Sequence, residues 1–301
     1  SGEGFTEPVS LFVSQCGNRA GPPSAINPFS NMNEVFQKYP VQHPLLKRKI
    51  KFFWEIESDY MELDHKIIPV RNIDLKFNLT ETPHYLHVND KSQLLEGAYF
   101  SGLQDHFRNA RILFQGKVHV LGICFYPEGF YPFLKIPVSK CKNLMLGAGE
   151  VGLSSLRSIH EKLMEAPDTN RRLHILENEL LSLIDDKIQT PESFYQLFDS
   201  FKKSNPVTQV AEFCQNNNLG TRKLERMFNK YVGISAKTYS VLNRFQDSMN
   251  QLFRSDYAKL SDIAYGNEYF YQMHFIRDFK RFAGNSPKNF IRKNNSMLHV
   301  R

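Results

Sequence analysis

Nowhere does the chain carry about eighteen consecutive apolar residues, which argues against a membrane-spanning helix. Its first residues lack a basic start followed by an apolar stretch, so a secretory leader is not expected. Cysteine is scarce: the four, Cys16, Cys124, Cys141 and Cys214, lie far apart with no C-x-x-C pair. That speaks against a disulfide scaffold or a structural zinc site and fits a reducing cytoplasm. What is present is ordinary globular material, 41% hydrophobic and 23% charged, with 25 Phe and 13 Tyr to fill a core. A length of 301 residues points to two domains.

The charge of +7 is unevenly spread. Residues 191–301 hold 17 Lys and Arg against 9 Asp and Glu, whereas residues 1–190 hold 21 against 22. The whole basic excess therefore lies in the last third, which implies a polyanionic partner without yet separating DNA from RNA or anionic lipid.

Residues 1–35 are rich in Gly, Pro, Ser and Asn and read as a flexible leader. From Leu45 to about Tyr126 the pattern is strand-like. Ile73, Leu75, Phe77 and Leu79 alternate with polar residues, as do Val118 and Val120 ahead of Ile123 and Phe125. So many short segments predict a small barrel or sandwich. The period then changes. Leu173, Leu176, Leu180, Ile184 and Ile188 describe an amphipathic helix over 171–188, with Asp168 or Thr169 as its cap. Thr190-Pro191 marks its end, and everything beyond reads as helical. The expected fold class is α+β: a leader (1–35), a β domain with a C-terminal helix (36–189) and an all-α domain (190–301).

The last domain resembles itself. A shift of 51 residues lays Arg226-x-Phe228 on Arg277-x-Phe279 and Gly233-x-Ser235-x-Lys237 on Gly284-x-Ser286-x-Lys288, with Tyr239 on Phe290. Gly233 and Gly284 suit the left-handed end of a helix, and Ser235 and Ser286 suit the cap of the next. Leu224, Phe228 and Tyr231 stack on one side of the first repeated helix, as Phe275, Phe279 and Phe282 do on the second. The outer sides carry Arg222, Glu225, Arg226 and Asn229, then Gln272, Met273, Arg277 and Lys280. Shorter helices, Val207 to Gln215 and Leu260 to Tyr265, precede them. Short helix, turn and amphipathic helix with a basic-polar outer face is the helix-turn-helix plan, in which Arg and Gln read base edges. A single exposed Arg usually means a solvated face; the repetition, together with the local charge, favours double-stranded DNA.

The stretches Leu219-Gly220-Thr221-Arg222-Lys223-Leu224-Glu225-Arg226-Met227-Phe228 and Tyr231-Val232-Gly233-Ile234-Ser235 resemble the first motif of the AraC/XylS family of transcriptional regulators. Ile263-Ala264, Gln272 through Lys280 and Gly284-Asn285-Ser286-Pro287 resemble its second. The resemblance implies two helix-turn-helix units joined by a long helix, about Ala236 to Arg254, with recognition helices in successive major-groove segments about 34 Å apart. It assigns base contact to Arg222, Glu225, Arg226, Gln272, Met273 and Arg277, and RNA polymerase as a partner if the protein activates. Asn218 and Glu268 stand where the family usually has glycine, and Cys214 where it has a small alanine; Glu268 tolerates a left-handed backbone poorly, so a shifted or strained second turn is expected.

Pro40 to about Leu183 resembles the uncharacterised sensor-like domain of one subgroup of that family. The resemblance rests on His43-Pro44-Leu45-Leu46, Phe53-Trp54, Ile68-Pro69, Asp74-Leu75 and Gly122 through Pro132, with Val70-Arg71 replacing the subgroup's Asp-Gly. By analogy it implies a cupin-like barrel for a small-molecule effector, with Trp54, Arg71, Asp74 and His119 as candidate pocket residues. Helix 171–188 suits packing on the barrel or pairing of two protomers in a homodimer, the former being the default. Three alternatives stand beside this reading. A metal-dependent cupin enzyme would draw on His84, His87, His119 and Glu128, although His84 and His87 would face opposite sides of a strand. An alkyl-transfer protein would need an activated cysteine, for which Cys141 between Lys140 and Lys142 is best placed. A regulator acting by protein contact would use Glu268 and the aromatic run Tyr269-Phe270-Tyr271. No catalytic residue, metal or cofactor is assigned.

Overall fold

A computed structural model describes residues 36–95, 97–147, 155–185, 187–204, 210–253 and 259–293. The leader expected over 1–35, with Cys16, lies outside the described residues.

The N-terminal half is built on one antiparallel sheet: β1 (Phe36–Tyr39), β2 (Ile50–Lys66), β3 (Ile73–Asn78), β4 (His84–Val88), β5 (Lys91–Leu95), β6 (Ala98–Ser101), β7 (Ala110–Phe125) and β8 (Met145–Gly147). The order is β1-β2-β7-β3-β6-β8, and the β4-β5 hairpin also pairs through β4 to β7. Among the described residues β1, β5 and β8 each pair on one side, so hydrogen bonds do not close the sheet into a ring. Side chains alternate between its faces. Phe53, Leu75, Phe77, Phe100, Leu121, Ile123 and Phe125 enter the main core, while Trp54, Ile56, Tyr99, Ile112, Phe114, Val120 and Cys124 form a second cluster on the opposite face. Trp54 lies across β7 where Gly122 leaves room; a Cβ there would meet the indole at 2.0 Å.

The helices are α1 (Pro44–Lys47), α2 (Tyr131–Leu134), α3 (Ser155–Glu165), α4 (Thr169–Leu183), α5 (Glu192–Lys203), α6 (Val210–Asn216), α7 (Thr221–Tyr231), α8 (Ala236–Phe253), α9 (Leu260–Gly266), α10 (Gln272–Ala283) and α11 (Pro287–Lys293). Asp168 caps α4 as the sequence indicates, its carboxylate accepting the Arg171 N–H at 2.8 Å. The helix stops earlier than expected, however: Ile184 is extended and Ile188 lies beyond it. Leu176 and Leu180 are buried in the chain's own main core, which gives this helix an intramolecular role. Helix α8 joins the two C-terminal bundles. Its Tyr239 ring sits 6.2 Å from Phe228, and its Phe245 ring sits 5.4 Å from Phe279 and 5.1 Å from Phe282.

Candidate nucleic-acid interface

The two helix-turn-helix units share their turn chemistry. After α6, Asn218 adopts φ +50°, the Leu219 N–H reaches Cys214 O at 2.9 Å, and the Asn217 side-chain amide donates to Phe213 O at 2.9 Å. After α9, Glu268 adopts φ +58°, the Tyr269 N–H reaches Ala264 O at 3.0 Å, and the Asn267 amide donates to Ile263 O at 2.7 Å. These bonds match at an offset of 50 residues, whereas the helices that follow match at 51. The second turn is therefore one residue longer. Leu219 is followed by Gly220 at the start of α7, whereas Tyr269 is followed by Phe270 and Tyr271 at the start of α10. The strain foreseen at Glu268 takes the form of a left-handed non-glycine residue in a turn that is also lengthened.

Each second helix buries an aromatic stripe, and this fixes which face is left outward. Leu224, Phe228 and Tyr231 are buried on α7, and Phe275, Phe279 and Phe282 on α10. Arg222, Arg226 and Asn229 are exposed on α7, as are Gln272, Met273, Arg277 and Lys280 on α10. Glu225 behaves differently. It is half-buried and accepts the Ala236 N–H that opens α8; burial pushes its carboxyl up and that bond pulls it back. Asn229 donates to the Glu225 carbonyl at 3.0 Å within its own helix. On α10, Asp278 turns inward toward Arg244 of α8 at 3.7 Å, and the Arg244 guanidinium lies 4.6 Å from the Tyr269 ring. Burial raises the Asp278 carboxyl, with Arg244 pulling the other way. This inward group orients α10 on α8 and leaves Arg277 pointing out.

The N-terminal half meets both units at the C-terminal ends of α7 and α10. Gly233 (φ +99°) and Gly284 (φ +72°) close those helices, and a Cβ at either would strike Val138 at 2.9 Å or the Phe107 ring at 2.5 Å. The Lys230 ammonium lies 5.1 Å from the Tyr131 ring, the Phe107 N–H donates to Arg281 O at 2.7 Å, and Arg281 Nε donates to Asp105 O at 2.9 Å. Between them Arg71 pairs with Asp247 of α8 at 3.1 Å, and Gln246 accepts the Arg71 N–H at 3.1 Å.

The four candidate effector residues do not converge. Trp54 and Asp74 face the second cluster; Asp74 lies opposite Cys124, whose thiol is driven up first by burial and then by that carboxylate. His119 faces the other way and binds Glu55 at 2.7 Å, while Arg71 leaves the sheet for α8. Glu55 is a buried hub that also accepts from Tyr39 at 2.9 Å and from Thr169 at 2.9 Å. Burial alone would raise its carboxyl, but the bonds from His119, Thr169 and Tyr39 outweigh it and hold it low. The sequence reading missed a polar row on the second-cluster face. Buried Lys76 donates to Ser101 Oγ at 3.1 Å and lies 5.7 Å from the Tyr99 ring; the Tyr99 hydroxyl meets His84 Nδ1 at 3.0 Å. Burial lowers Lys76 and brings His84 to about 4, and His84 Nε2 has no partner. The signal was present in Ile73-Asp74-Leu75-Lys76-Phe77, where both charged residues fall on one face.

The metal alternative's residues are also scattered. His84 lies within that row, His87 contacts Ser92 at 3.4 Å, His119 is held by Glu55, and Glu128 pairs with Lys202 of α5 at 3.0 Å. Cys141 is buried rather than activated, its thiol pushed up to about 11.

Tandem units with open, basic-polar second helices define the class: a DNA-binding transcription regulator with an α+β architecture and a helix-turn-helix domain at its C-terminal end. Residues 213–293 match a family described as a helix-turn-helix domain, and residues 41–146 match one described as a domain of unknown function. Among solved structures the chain is similar to ToxT from Vibrio cholerae O395, at 12% identity and TM-score 0.44, over 89% of this chain and 100% of that one. It is also similar to the AraC-like transcriptional activator CuxR, at 8% identity and TM-score 0.25, over 74% and 89%. No curated protein matches it. No helix among the described residues is long and apolar enough to cross a membrane.

Proposed function

We propose that α7 and α10 enter successive major-groove segments on one face of duplex DNA. Arg222, Arg226 and Asn229 work in the first segment, and Gln272, Met273, Arg277 and Lys280 in the second. Glu225 serves the start of α8 rather than a base edge. The observation that carries this reading is the pair of matched turns, each presenting an amphipathic helix with its cationic face uncovered. In this reading the DNA-binding domain begins near residue 190, and the protein works in the cytoplasm without catalytic chemistry.

The N-terminal domain is proposed to report the state of a small effector or of self-association to DNA. Its grip on the C-terminal ends of both recognition helices supplies the route, since a shift of Phe107 or Tyr131 is felt directly at α10 or α7. The polar row of Lys76, Tyr99 and His84 supports the second-cluster face as the effector side. Contact with RNA polymerase belongs to this reading if the regulator activates.

The test is binding to the best duplex selected from random sequence. Arg226→Ala should relax preference in one half-site only, and Arg277→Ala in the other, each at a cost of about 1–3 kcal/mol. Equal loss across all sequences for both variants would reduce the two side chains to phosphate contacts.

A further inference from the structure

The lengthened second turn places large apolar side chains where the first unit has almost none. Phe270 is 74% exposed, Tyr271 58% and Met273 77%. Their rings are ordered against one another: Phe270 meets Tyr271 edge-on at 4.9 Å, and Tyr271 meets His274 edge-on at 5.5 Å. At the corresponding positions of the first unit stand Gly220, with open space around it, and Arg222 in place of Met273. Tyr271 caps α10 only through its backbone carbonyl, which accepts the His274 N–H at 2.9 Å; its side chain makes no capping hydrogen bond. An exposed cluster of this kind, ringed by polar groups, marks a surface that is covered in use.

The geometry points to thymine as its occupant: Phe270, Tyr271 and Met273 read thymine C5-methyl groups in the second half-site. This rests on the proposed insertion of α10 into the major groove. The patch sits at the N-terminal end of the recognition helix, the part that meets base edges in this motif. It is continuous with the reading face, because Met273 and Arg277 lie one turn apart. Its surroundings are cationic, with Arg277 and Lys280 exposed beside it, which suits a polyanion better than an apolar protein groove. In the major groove thymine alone among the four bases carries a methyl, and apolar side chains are its natural partners. The two half-sites are thus read by different chemistries, the first through Arg222 and Arg226 and the second through apolar contact added to that of Arg277.

Replacing thymine by deoxyuridine in the selected duplex removes the methyl and leaves base pairing intact. With the full-length protein, deoxyuridine in the second half-site should weaken binding about fourfold per contacted methyl, the cost of one methyl left unburied. The same change in the first half-site should do little. The double variant Phe270→Ala/Tyr271→Ala should bind the thymine duplex more weakly and should lose most of the distinction between thymine and deoxyuridine, keeping only what Met273 contributes. Both side chains are exposed, so an unchanged thermal midpoint is the folding control. Equal wild-type affinity for thymine and deoxyuridine duplexes overturns the inference. So does full DNA affinity in the double variant, which would mark the patch as a protein contact. If Arg277→Ala also leaves every preference intact, the placement of α10 in the groove fails and this inference fails with it; if Arg277→Ala relaxes the second half-site, only the methyl contact is lost.

Discussion

Glu128 and Lys202 show how a single pair ties the two halves together. The Glu128 side chain is 6% exposed, one carboxylate oxygen takes the Lys202 ammonium at 3.0 Å, and the other has no partner. Burial raises the Glu128 carboxyl, with Lys202 pulling it back. In Lys202→Met that pull is gone and the buried charge stands uncompensated. A carboxyl whose folded pKa lies above its unfolded one contributes stability that is complete below the unfolded value and is lost as pH rises through the folded one. The variant should therefore lose about 2 kcal/mol near pH 7.5, below the usual cost of breaking a fully buried pair because Lys202 is a third exposed. The deficit against wild type should shrink toward pH 5. Urea unfolding of both proteins at the two pH values checks this; a deficit that does not change with pH would show that Glu128 is not the group responsible. The sequence could not display this pair, because its members are 74 positions apart and Glu128 looked as much like a metal ligand.

At the scale of elements, periodicity and repetition made the C-terminal helices legible. The stripes Leu224-Phe228-Tyr231 and Phe275-Phe279-Phe282 are the buried faces they imply. The alternation in β3 and β7 likewise announced strands. Three things were not legible. Helix α4 ends at Leu183, because Ile184 and Ile188 keep the apolar spacing without continuing the helix. The one-residue extension of the second turn hides inside a repeat aligned on its better-matched half. The candidate effector residues divide between faces, Trp54 and Asp74 on the second-cluster face and His119 on the other, since alternation gives a side but not which side closes over a ligand. Glu268 provides the test of the turn. A left-handed non-glycine residue costs about 1–2 kcal/mol, and glycine returns part of that through the unfolded chain. Glu268→Gly should thus raise stability by about 0.5–1 kcal/mol, seen as a higher thermal midpoint. A lower midpoint would mean the Glu268 side chain holds the turn together.

Across the whole molecule, one apolar core runs from the sheet through α4 and α5 into both helix-turn-helix units. The two units therefore do not hang from a linker. Gly233 against Val138 and Gly284 against Phe107 set each recognition helix on the N-terminal half. Regulation in such a body is a question of how two reading heads are held relative to each other, and the central claim is that both heads read DNA. Selection of bound fragments from random duplex DNA by the full chain, followed by titration across salt, tests that claim most directly. The account predicts two short motifs, about 34 Å apart along one face, with different base preferences. It also predicts affinity falling about 10³-fold or more between 50 and 200 mM salt, as phosphate contacts release counterions. No enriched sequence, together with weak binding that is indifferent to salt, would contradict it.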